Sequence, residues 1–122
     1  MAVRRLNNYL RTHRKHSGLS QSELAFLVGL TSKAELSRYE LGQRQPSLRT
    51  ALAYEAAFGT PVSELFAGLS DSISQDTHGK MKKLSARLQA KASGGGNKVM
   101  AKFPWVSQRL VEMPKLITSL VV

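Results

Sequence analysis

Lys33, Ala34, Ser37 and Arg38 stand one, three and four positions apart, so a helix over this segment carries them on a single stripe. Their side chains suit the edge of a base pair. The Arg38 guanidinium can make a bidentate contact to guanine O6 and N7, and the Lys33 ammonium can reach the same atoms or a phosphate. The Ala34 methyl suits a thymine methyl, and the Ser37 hydroxyl bonds groove atoms or backbone. A second set suits phosphates. Gln21 stands in the first turn of a preceding helix, where free backbone N–H groups favour an anion. Gln43, Arg44 and Ser47 fall in and just after a polar loop. These eight residues are the candidate DNA-binding set, part base-facing and part backbone-facing.

The surrounding pattern supplies the elements that would position them. A first helix is expected from near Arg4 to His16, with Leu6, Tyr9 and Leu10 on one face, followed by Gly18. Ser20 and Glu23 form an S-x-x-E capping box that starts a second helix. Leu24, Leu27 and Val28 form its buried face, and Ala25 is small enough for another helix to pass close by. Gly29 is placed to adopt positive φ and turn the chain. Ser32 and Glu35 repeat the capping signature, so a third helix begins at Lys33, with Leu36 and Tyr39 inward and Gly42 at its end. A fourth helix starts at the N-cap Ser47 and carries Leu48, Ala51, Leu52, Ala56 and Phe58 up to Gly59. Thr60-Pro61 opens a short fifth helix that ends at Gly68. Five helices with no strand pattern make an all-α domain over residues 1–69, with the second and third helices forming a helix-turn-helix.

The ordered motifs G-L-S-Q-S-E-L-A, G-L-T, S-R-Y-E-L-G-x-R-x-P-S-L and F-G-T-P-V-S-E-L-F closely resemble the phage-repressor/Cro-like (XRE-type) helix-turn-helix family over residues 5–67. The resemblance implies a dimeric DNA-binding regulator whose third helix enters the major groove. It implies that Gln21 bridges a phosphate and the recognition helix, and that Glu40 points inward and pairs with Arg14. One departure is visible: the Gly29–Glu40 stretch is one residue longer than the commonest family pattern, which enlarges the turn before the third helix.

Residues 70–122 resemble no family. Ser70–Ser74 reads as a linker, and residues 75–92 as a helix with a narrow Met81, Leu84, Leu88 stripe among basic residues. Gly94–Gly96 reads as a hinge, and residues 98–122 as an apolar terminal segment in which Pro104 and Pro114 break any long helix. That segment suits self-association or a protein partner. The net charge of +10 is uneven: residues 1–76 carry +2 and residues 77–122 carry +8. The charge run over residues 80–102 suits nonspecific DNA binding through phosphates, with a solvated arm as the plain alternative.

Composition narrows the function. The chain has 122 residues and no Cys, so disulfides and thiolate metal sites are excluded. Its three histidines lack metal-ligand spacing, and no cofactor is expected. No nucleophile–base pair, phosphate loop or catalytic carboxylate pair is present, so an enzyme is not expected. The start is too polar for a signal peptide, and no apolar run approaches the roughly 18 residues of a membrane span. The expectation is a cytoplasmic, homodimeric transcriptional repressor binding double-stranded DNA. An autorepressing antitoxin whose C-terminal segment binds a toxin is the second reading. A protein-binding adaptor on a helix-turn-helix scaffold is the third, and Gln21, Lys33, Arg38 and Arg44 argue against it.

Overall fold

The computed structural model describes residues 6–92 and 97–113, without the side chains of residues 92–101. Among the described residues the regular structure is all helical. The order is α1 (Leu10–Ser17), α2 (Gln21–Leu27), α3 (Lys33–Glu40), α4 (Leu48–Phe58), α5 (Val62–Leu65), α6 (Ala67–Ala92) and α7 (Asn97–Glu112). The chain divides into two units, Arg4–Ser70 and one built mainly from Asp71–Val122.

In the first unit, α1 begins six residues later than the apolar spacing predicts. Residues 6–9 are held by other partners. Asn8 Oδ1 accepts from Leu10 N at 3.2 Å, while Asn8 Nδ2 donates to the Tyr39 carbonyl at 3.0 Å. Tyr9 N donates to the Leu65 carbonyl at 2.7 Å, and Gly68 N to the Leu6 carbonyl at 2.8 Å. These bonds commit the arm to α3, α5 and the start of α6. Leu6, expected on the buried face, is exposed, whereas Leu10 is fully buried.

The core joins Leu10, Leu24, Leu36, Tyr54 and Leu65, one large side chain from each of the five helices. Burying a side chain of this size contributes about 1.5–3 kcal/mol. Leu36 and Tyr39 point inward as expected. Leu27, Leu48 and Leu52 do not: all three are at least half exposed, and Tyr54 fills the centre instead. For Leu48 and Leu52 the reason is that α4 carries Leu or Ala on nearly every side, so periodicity alone does not choose its buried face. Phe58 completes the packing against the rings of His13 and Tyr54.

Three further boundaries differ from the sequence reading. Thr60 does not cap α5; the N-cap is Pro61, and the Glu55 carboxylate accepts from Val62 N at 2.8 Å. Gly68 does not end a helix but lies in the first turn of α6. A Cβ there would sit 2.6 Å from the Leu6 carbonyl oxygen, so this glycine admits the arm. The expected linker at residues 70–74 is helical, continuous with the expected helix at 75–92. Ser70 N donates to the Phe66 carbonyl, and no proline interrupts residues 67–92.

In the second unit, Leu88, Val106 and Met113 are buried. Pro104 lies inside α7 and does not break it. A proline removes one N–H bond and crowds one carbonyl, and the intact turns on either side continue the helix. The glycine hinge at 94–96, Pro114 and the end of the apolar segment lie outside the described residues. Among the described residues, no helix is long and apolar enough to cross a membrane.

Candidate nucleic-acid interface

The two helix starts that frame the interface are capped by serine. At α2, Ser20 Oγ accepts from Glu23 N at 3.1 Å, and the Glu23 carboxylate accepts from Ser20 N at 2.8 Å, a complete capping box. The Ser20 backbone bond holds the Glu23 carboxyl below its ordinary range. At α3, Ser32 Oγ accepts from Glu35 N at 3.3 Å, but the expected return bond is absent. The Glu35 carboxylate instead accepts from the Tyr39 hydroxyl one turn on, at 3.0 Å. Burial and that bond raise the Tyr39 pKa.

The turn between the two caps is closed by backbone bonds. Gly29 has φ of +78°. Its N–H donates to the Phe26 carbonyl at 3.2 Å, and Leu30 N reaches back to the Ala25 carbonyl at 2.8 Å. This closes α2 in the manner of a Schellman turn. Leu30 packs against the core, Thr31 is exposed, and Ser32 still caps α3 at Lys33.

Beneath the end of α3 lies an ion pair. Arg14 Nε donates to Glu40 Oε2 at 2.6 Å and Arg14 Nη2 to Oε1 at 3.1 Å, with side chains 13% and 3% exposed. Arg14 Nη1 also donates to the Leu19 carbonyl at 3.2 Å. The Glu40 bond raises the Arg14 pKa above its already high ordinary value. Gln21 Nε2 adds a third donor to this carboxylate, reaching Oε1 at 3.1 Å. One buried acid thus ties α1, the start of α2 and the end of α3 together. The inward Glu40–Arg14 pair implied by the family resemblance is present.

Lys33, Ala34 and Arg38 are exposed and Ser37 is half-buried. Among the described residues, none of these side chains is hydrogen-bonded to the protein. Gln43 and Arg44 are exposed on the loop after α3. Arg44 and Ser47 line one open cleft with Glu35 and Tyr39. Ser47 is already engaged: its Oγ accepts from Thr50 N at 3.2 Å and donates to Thr50 Oγ1, capping α4. Gln21 is half-buried and bonded to Glu40 at the end of α3. Arg49, outside the eight candidates, is an exposed cation in the first turn of α4 beside the Ser47 cap. Its position two residues past an N-cap is the signal that marks it.

A helix-turn-helix family model matches residues 10–65, which span α1 to α5. Comparison with curated proteins and with solved structures finds no match. Cap, glycine turn, second cap and solvent-facing stripe thus lie within a segment, residues 10–65, that matches the XRE-type helix-turn-helix family.

Proposed function

We propose that the chain is a sequence-specific transcriptional regulator that acts as a dimer and represses by occluding its operator. The observation that supports this reading is the α3 stripe: Lys33, Ala34, Ser37 and Arg38 are clustered on one helix, and among the described residues the side chains of Lys33, Ser37 and Arg38 form no hydrogen bond. In this reading Lys33, Ala34, Ser37 and Arg38 meet base edges, while Gln21, Gln43, Arg44 and Ser47 hold phosphates. Ser47 takes part chiefly by shaping the α4 N-terminus, and Arg49 joins the phosphate set. Residues 1–69 read the sequence, and residues 70–122 form a basic extension. Two copies on half-sites about 34 Å apart place two α3 helices in successive major grooves. The exposed Leu48 and Leu52 on α4, one turn apart, support self-association. A cytoplasmic location is compatible with the DNA target.

Selection of bound duplexes from a random library tests the proposal. An enriched palindrome is expected; recovery of unenriched sequence overturns the sequence-specific reading. Trp105 and Val111, 63% and 84% exposed on α7, favour a second reading, an antitoxin whose C-terminal segment holds a toxin. Co-purification of a small toxic protein with the full chain distinguishes it from a free-standing regulator.

A further inference from the structure

Helix α6 carries a feature that the α3 reading does not use. Lys80, Lys83, Arg87 and Lys91 are all exposed. At 100° per residue they fall within an arc of about 80°, along about 16 Å of helix. Asp76, one turn before Lys80, is the acid at the head of the row, and residues 77–111 contain no Asp or Glu. Among the described residues none of the four cations is in an ion pair or hydrogen bond.

We propose that this row is a second DNA-binding surface that tracks the phosphate backbone without reading sequence. The choice of duplex DNA as the polyanion rests on the DNA-binding reading of α3. Four cations at intervals of about 4.5–6 Å face a strand that carries one phosphate per about 3.4 Å, so each can find a partner without a fixed register. Tethering strengthens the effect. Because the row and α3 belong to one chain, weak phosphate contacts that engage the same duplex add to overall affinity. A membrane surface fits less well. A helix lying on lipid needs a continuous free apolar face; here Leu84 and Ile73 are exposed but Leu88 is buried and Met81 half-buried, so the face is interrupted.

The test compares the full chain with K80Q/K83Q/R87Q/K91Q and with the charge-keeping K80R/K83R/K91R. Binding is measured across a salt titration to a duplex bearing the selected motif and to one without it. Far-ultraviolet circular dichroism confirms that the helices persist. The expected result is a plot of log affinity against log salt that flattens by ~3–4 in the glutamine variant on both duplexes. The ratio of the two affinities is unchanged, and the arginine variant behaves as wild type. Equal slopes for wild type and the glutamine variant overturn the proposal, as does a changed ratio. Loss of binding to phosphatidylglycerol vesicles with DNA slopes unaltered also overturns it and assigns the row to lipid. The two readings fail separately. A wild type that does not distinguish the duplexes refutes sequence specificity, and the slope difference still decides the role of the row.

Discussion

The Glu40 carboxylate decides the orientation of its neighbours because it can only accept. Arg14 supplies two donors, so the third partner, Gln21, must present its amide nitrogen. That leaves the Gln21 oxygen and one N–H for a ligand. Removing the acid strands a largely desolvated guanidinium. Glu40→Ala is expected to cost about 3–5 kcal/mol in denaturant unfolding; an unchanged midpoint contradicts the assignment. Gln21→Ala is expected to weaken binding to all duplexes alike without altering base preference, which a panel of mismatched operators measures. Tyr54 presents the opposite case. Its hydroxyl is fully buried with no partner among the described residues, and burial raises its pKa. Tyr54→Phe is therefore expected to be neutral or stabilising by up to about 1 kcal/mol, whereas Tyr54→Ala costs about 3–5 kcal/mol. A large loss in Tyr54→Phe shows that the hydroxyl has a partner. The inward Glu40 was legible only through family resemblance, since its flanks Tyr39 and Leu41 say nothing of which way it points. Tyr54 was hidden because leucine and alanine surround it along α4.

Among the elements, local chemistry was the most legible. Ser20, Ser32 and Ser47 each cap the helix that their sequence context predicts, because an N-cap bond depends on residues only three positions away. What depends on distant partners was not legible. The residues before α1 resemble a helix until Tyr39, Leu65 and Gly68 claim their polar groups. Gly68→Ala drives a methyl against the Leu6 carbonyl. It is expected to destabilise by about 1–3 kcal/mol through overpacking, although alanine is the better helix former; a rise in melting temperature contradicts the close approach. The α2 capping box gives a pH signature. The Glu23 pKa is lowered in the fold, so its contribution is present above its ordinary 4.5 and is lost as pH falls through the depressed value. Glu23→Gln keeps an acceptor at this position without that titration. The melting temperature of the wild type is expected to fall more steeply than that of the variant below about pH 4.5; parallel profiles contradict the linkage.

Over the whole molecule, fold and charge are divided between different stretches of chain. The helix-turn-helix lies in residues 10–65, whereas most of the net charge follows residue 76. In the proposed division of labour, α3 discriminates between sequences and the basic stretch strengthens binding to all of them. Sequence discrimination in this division requires α3 to read bases, and Arg38 tests that most directly. The decisive measurement is the affinity of wild type and Arg38→Ala for the selected operator and for single-base-pair variants of it. At one G·C pair per half-site, the wild type is predicted to lose about 1–3 kcal/mol on substitution and Arg38→Ala to lose almost nothing, with preferences elsewhere unchanged. A variant that binds every duplex more weakly by the same factor, with the wild-type pattern of preferences intact, would contradict the account.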